Sequence, residues 1–92
     1  MNIPVNNYNP QPEIDEIVNT LCKKLENGGS YASCNCFGKS LTHIVIPALE
    51  KFKEKGWFTY YHKRFDGVIL DVQIYKEHYT PRNSGFNHLI EY

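Results

Sequence analysis

The chain has no excess of either charge, no long apolar run and no even set of cysteines, and each absence removes a class of protein. Ten basic and ten acidic side chains cancel at neutral pH. This argues against a dedicated duplex-DNA binder, in which a basic excess is usual, but it leaves room for a local basic patch. No segment approaches the roughly 18 consecutive apolar residues of a membrane span. The stretch Met1-Asn2-Ile3-Pro4-Val5-Asn6-Asn7-Tyr8 has neither the basic n-region nor the apolar h-region of a signal peptide, so the expectation is a soluble protein that is not secreted. Three cysteines are an odd number and do not form a closed disulfide framework. They read as reduced thiols acting as small core residues.

What is present reads as one small domain. Ninety-two residues, 41% of them hydrophobic, suffice for a single core that buries about two-thirds of the unfolded surface. Residues 1–12 form an arm, since Pro4, Pro10 and Pro12 among four asparagines cannot build a regular element. Residues 13–75 form the α+β domain, and residues 76–92 form a polar tail broken at Pro81 and Gly85. The tail ends Phe86-Asn87-His88-Leu89-Ile90-Glu91-Tyr92, which is apolar enough to dock on something.

Within the domain, Ile14, Ile17, Val18, Leu21, Cys22 and Leu25 recur at helical spacing and make one apolar stripe. Asn27-Gly28-Gly29-Ser30 stops that helix. Residues 31–37 alternate as a strand with Ala32, Cys34 and Cys36 on one face, small enough to lie under a helix. Ser40 is a good N-cap for a second helix whose buried stripe is Leu41, Ile44, Val45, Ala48, Leu49 and Phe52, ending at Gly56. Pro47 interrupts it, either as a kink or by delaying the true α-helix to about Ile44; continuity of the stripe favours the kink. Asp66-Gly67 is a two-residue hairpin signal. Taken literally it pairs Phe65 with Val68, His62 with Asp71, Tyr61 with Val72 and Thr59 with Ile74. Val68, Leu70, Val72 and Ile74 then face the core, with Tyr61 and Phe65 beside them. Phe58, Tyr60, His62 and Arg64 face outward, opposite Tyr75, Gln73, Asp71 and Ile69. The order α-β-α-β-β, with a right-handed crossover, predicts a two-layer fold: a three-stranded mixed sheet with two helices on one face.

Several groupings invite a chemical reading. Phe37-Gly38-Lys39-Ser40 echoes the end of a phosphate-binding loop, but Ser33 stands where the full pattern needs a glycine, so a capped strand-to-helix turn is the better reading. Cys22, Cys34, Cys36 and His43 could outline a zinc site or a cysteine nucleophile with its base. The spacing is wrong for zinc knuckles, and thiols that face helices are inert. His62 and Asp71 read as a cross-strand pair more than as an acid–base couple. The stretch Lys51 to Arg64 interleaves Lys51, Lys53, Lys55, Lys63 and Arg64 with Trp57, Phe58, Tyr60 and Tyr61, a combination that single-stranded nucleic-acid binders use. The same aromatic sheet face, left open unless the tail folds over it, has the composition of a protein interface.

A helix ending Glu26-Asn27-Gly28-Gly29-Ser30, a small-residue strand, the run Leu49 to Trp57 and the alternating Val68 to Tyr75 resemble small proteins encoded by large DNA viruses and bacteriophages. The resemblance implies a viral origin, with a location in the host cytoplasm or the virion, and a structural, virion-associated or host-interaction role; it implies no catalytic residues. The resulting expectation is a non-enzymatic interaction or assembly module with no cofactor and no metal. It would bind a protein partner, itself or another, through Trp57, Phe58, Tyr60, His62, Lys63, Arg64 and Tyr75. The alternatives are a single-stranded nucleic-acid binder using the basic-aromatic hairpin, and a small enzyme or zinc protein built on the cysteines.

Overall fold

A computed structural model of the chain describes residues 1–83, Gly85 and residues 87–92. Helix α1 spans Gln11–Leu25 and begins as soon as the prolines permit, with Pro12 in its first turn, where a missing N–H costs nothing. Its stripe buries Ile14, Ile17 and Leu21 and leaves Val18 and Leu25 half-buried, while Cys22 is exposed at the margin. Strand β1, Tyr31–Asn35, places Ala32 and Cys34 in the core, and Cys36 just beyond it is fully buried.

The second helix starts irregularly. The Ser40 hydroxyl accepts the His43 N–H at 3.2 Å, and a π-helical turn occupies Leu41–Val45 before α2 runs over Ile46–Lys53. Pro47 explains this arrangement. In a straight α-helix its ring meets the carbonyl four residues back and its missing N–H breaks the ladder; a wide turn followed by a fresh α-helical start puts Pro47 in the first turn of α2, where both problems vanish. The kink is thus replaced by an irregular turn with the α-helix starting after it. At the other end Trp57 N–H reaches Phe52 O at 3.1 Å and Gly56 N–H reaches Lys53 O at 3.0 Å, with Gly56 left-handed at φ +91°. These two bonds make a Schellman cap.

Strands β2 (Phe58–Arg64), β3 (Ile69–Tyr75) and β4 (Asn87–Glu91) complete a four-stranded sheet in the order β1-β3-β2-β4. Every neighbouring pair is antiparallel, which corrects the three-stranded mixed sheet expected from sequence. The reason is the position of β3. It lies between β1 and β2, so those two strands run the same way without ever pairing. The fourth strand comes from residues 87–91 of the tail; Phe86, read with them as part of an apolar end, lies outside the described residues. Both helices pack on the sheet face that carries Ala32, Cys34, Ile69, Val72 and Ile74.

The hairpin register combines two compensating irregularities. Arg64 N–H bonds Val68 O at 2.9 Å and Gly67 N–H bonds Arg64 O at 2.9 Å, so the loop holds three residues, Phe65-Asp66-Gly67, with Gly67 left-handed at φ +89°. This is a type I turn closed by a glycine bulge, and it shifts the pairing by one. Leu70 is then an extra residue on β3: Lys63 pairs with Ile69, but His62 pairs with Asp71 and Tyr61 with Val72. The second shift restores the register expected along the rest of the hairpin and leaves the tip different. Ile69, expected to face outward, is in the core at 2% exposure, and Phe65, expected beside the core, is 73% exposed.

Replacing Gly56 tests the cap. A Cβ there meets nothing within 4 Å, so Gly56→Ala should lower stability by about 1 kcal/mol through backbone strain alone, read as a lower urea midpoint with an unchanged slope.

Candidate interaction surfaces

The sheet face away from the helices was expected to be open, and the chain's own tail covers much of it. Lys76 N–H bonds Ser30 O at 2.8 Å, and residues 76–83 then cross the sheet. The Tyr60 hydroxyl anchors them, donating to Tyr79 O at 2.6 Å and accepting from Tyr79 N–H at 2.9 Å. Tyr75 and Tyr79 stack with centroids 4.7 Å apart, Tyr60 meets both edge-on, and Tyr31 lies 4.8 Å from Tyr75. Such aromatic pairs add stabilisation beyond their buried area. Four of the chain's seven tyrosines are thereby used internally. Burial and the neighbouring tyrosines push the Tyr75 phenol up to about 12, and burial raises Tyr60.

A polar ladder runs alongside the cluster. Tyr75 donates to Gln73 Oε1 at 2.8 Å, Gln73 donates to Asp71 Oδ1 at 3.2 Å, and Asp71 Oδ2 lies 3.2 Å from His62 Nδ1. His62 and Asp71 are therefore the cross-strand neighbours that the hairpin register implies. Between this ladder and the crossing segment lies a polar cleft of about 220 Å³, walled by His62, Gln73, Tyr79 and Arg82.

The interface residues expected from sequence are dispersed. Tyr60 is fully buried and Tyr75 half-buried beneath the tail; Phe58 remains 37% exposed, edge-on to His78 at 5.2 Å. Arg64 is held by Asp66 through two hydrogen bonds, at 2.8 and 3.2 Å. Lys63 pairs with Ile69 next to the bulge. Trp57 packs against the core cluster on the helix side, and Lys53 lies 4.8 Å over the ring of Tyr92. The basic-aromatic stretch is continuous in sequence but divided between two faces in space.

Both edges of the sheet are blunted. Cys36 N–H bonds Leu70 O at 3.0 Å, so by the antiparallel alternation Ser33 turns its backbone outward. The Lys24 ammonium donates to Ser33 O. On the other edge the Asn83 side chain substitutes for a strand residue. Its oxygen accepts Leu89 N–H at 2.8 Å and its amide donates to Leu89 O at 3.0 Å. A lysine and a side-chain amide on edge groups discourage strand addition.

Apolar side chains stay exposed at several places among the described residues, Phe37 at 61% and Phe65 at 73% included; two such surfaces bear on interaction. One is the arm, where Ile3 is 86%, Val5 82% and Tyr8 57% exposed. Asn6 and Asn9 turn the backbone through side-chain bonds to Tyr8 N–H at 2.9 Å and Gln11 N–H at 3.1 Å. The other is a groove of about 360 Å³ between α1 and the end of α2, floored by Val18, Cys22, Leu25, Phe52 and Trp57 and flanked by Lys51 and Lys55. The α1 stripe was visible in sequence, whereas residues 1–12 read only as a proline- and asparagine-rich arm. The stop at Gly56 was visible too; that it leaves part of the α1 stripe bare was not.

The chemical groupings come apart in the same way. Gly38 N–H bonds Ile69 O at 3.0 Å and the Lys39 ammonium pairs with Glu13 at 3.1 Å, so Phe37-Gly38-Lys39-Ser40 is a capped strand-to-helix turn. Cys34 and Cys36 are buried while Cys22 and His43 are exposed. The described residues include no group of three or more His, Cys, Asp or Glu placed to hold one ion. Burial, and then the adjacent Cys34, push the Cys36 thiol up to about 12. No helix among the described residues is long and apolar enough to cross a membrane. Compared with protein-family models, curated proteins and solved structures, the chain matches none.

Tyr60→Phe removes both bonds to Tyr79. It should cost about 1–2 kcal/mol and speed amide exchange at Tyr79 while exchange in α1 stays unchanged. Alkali should also destabilise the fold. Cys36 ionises near 9.0 when free and near 12 when folded, so the unfolded state loses its proton first. That contribution to stability is complete below pH 9 and is lost as pH rises toward 12. Urea midpoints across this range should fall less steeply in Cys36→Ala.

Proposed function

We propose that this chain is a non-enzymatic protein-interaction and assembly module that works through its arm. The observation that carries the reading is the arm's alternation. Met1, Ile3 and Val5 alternate with Asn2, Pro4 and Asn6 along the arm, and all six are exposed. The core closes without them, with Leu21, Val45, Leu49, Val72 and Ile74 at 0% exposure, while Phe37 and Phe65 are exposed elsewhere at 61% and 73%. Apolar side chains that contribute nothing to the monomer's core gain stabilisation only against another surface, at about 25 cal/mol per Å² buried. Short arms of this kind order on a partner.

The other readings have less support. A single-stranded nucleic-acid binder needs exposed rings beside free cations, and here Tyr60 is buried and Arg64 is engaged by Asp66. A cysteine nucleophile needs thiolate character and access, and Cys36 is buried with its thiol held protonated.

Sedimentation velocity tests the proposal. The full chain should associate as its concentration rises, and Ile3→Asp with Val5→Asp should sediment as a monomer with an unchanged thermal midpoint. A full chain that stays monomeric throughout, or a double variant that associates equally well, counts against it.

A further inference from the structure

The groove between α1 and α2 carries a charge arrangement that the fold itself does not use. Glu50 and Glu54 lie one helical turn apart and flank Tyr92 with Lys53. Lys51 and Lys55, also four residues apart, flank the apolar groove instead. Like charges at this spacing repel on a helix, whereas acid–base pairs at the same spacing stabilise it. Cations near the C-terminal end of α2 suit the helix dipole, which accounts for their sign but not for their collection on one side. The acidic side has a use within the chain, since the Tyr92 hydroxyl donates to Glu50. On the groove side, neither Lys51 nor Lys55 has an ion-pair partner among the described residues.

Two ammonium groups a turn apart beside an apolar trough of about 360 Å³ define the chemistry of an occupant. It needs apolar side chains for Val18, Leu25 and Trp57, and carboxylates on the flank that meets the lysines. The arm of a second copy has the first and lacks the second, because residues 1–10 contain no Asp or Glu. An added strand does not fit either, since a groove between helices offers no backbone edge to pair with. We infer that the α1–α2 groove binds an acidic amphipathic helix of a partner protein, its apolar face seated on Val18, Leu25 and Trp57 and its carboxylates on Lys51 and Lys55. This mode places apolar anchors at i, i+3 or i+4, and i+7, with the charges setting orientation and rate of encounter. The inference rests on the interaction-module reading but uses a different surface from the arm.

Trp57 is the chain's one tryptophan, so the groove reports on its own occupancy. The probe is a synthetic helical peptide with leucines at i, i+3, i+4 and i+7 and glutamates on its flanks, compared with the same peptide carrying lysines for glutamates. The acidic peptide should blue-shift Trp57 fluorescence saturably, and less so as salt rises. Lys51→Glu with Lys55→Glu should weaken it by about tenfold or more and make the basic peptide the better ligand, a gain that also demonstrates a folded variant. Equal binding of the two peptides, or no shift with either, overturns the inference. So does a Trp57 shift that follows protein concentration alone, which would mean that a second copy fills the groove. Ile3→Asp with Val5→Asp should leave the acidic peptide's binding unchanged, so failure at the groove and failure of the arm are read separately.

Discussion

The fold depends on β3 lying between β1 and β2. Val72 and Ile74 on this strand are fully buried; Val72 pairs with Cys34 on one side and Tyr61 on the other, and Ile74 with Ala32 and Thr59. Remove that strand and β1 has no neighbour at all. Both helices lie over the surface that β3 anchors, and the small side chains of β1 let α1 approach closely. The connection through the π-helical turn and α2 carries the chain across the gap that β3 later fills. The last strand to join the central ladder therefore holds the two earlier ones in one sheet.

A sheet with helices on one face has a second face to cover, and here the covering is aromatic. Tyr60 serves as both wall and anchor: its ring fills the centre of the face and its hydroxyl holds the backbone of Tyr79. The tail can then return as β4 alongside β2, where Tyr92 N–H bonds Thr59 O at 2.9 Å. Asn83, in the covering segment, caps the outer edge of that same strand. Coverage of the face and protection of the edge thus come from one stretch of chain. The consequence for function is subtractive, because the centre of the tyrosine-rich face is covered: Tyr60 is fully buried and Tyr75 half-buried, while Tyr31 and Tyr79 stay 47% and 42% exposed. Among the described residues, exposed apolar side chains remain in the arm, in the groove beside Trp57, and at Phe37 and Phe65.

Where α2 ends accounts for the groove. Pro47 delays its start and Gly56 ends it, leaving Ile46–Lys53 as regular α-helix, about 12 Å long, against α1 of 15 residues. Val18, Cys22 and Leu25 are left beside the C-terminal end of α2, where Phe52 and Trp57 line the groove with them. Gly56, which gives α2 its clean end, therefore also leaves part of its neighbour's stripe bare.

Where the physics is local, the sequence carries the structure. The stripes of α1 and α2, the Ser40 cap, the glycine stop at Gly56 and the inward Ala32, Cys34 and Cys36 follow from spacing and backbone preference within a few residues. The body of the hairpin was also legible, although its turn was not: a three-residue loop and the Leu70 bulge shift the register in opposite senses, and alternation cannot reveal two errors that cancel. The candidate surface fared worse. Tyr60 alternates as an outward residue and does face away from the helices; whether that means solvent or interior depends on a segment almost twenty residues further on. The sequence by itself determined where α1, β1, α2 and the hairpin lie and, away from the hairpin tip, which side of each is apolar, because those preferences are set by neighbours along the chain. Tertiary structure alone decided that β3 separates β1 from β2, that the tail becomes a strand and a cover, and that Lys51 and Lys55 border a groove, because each depends on contacts between segments distant in sequence.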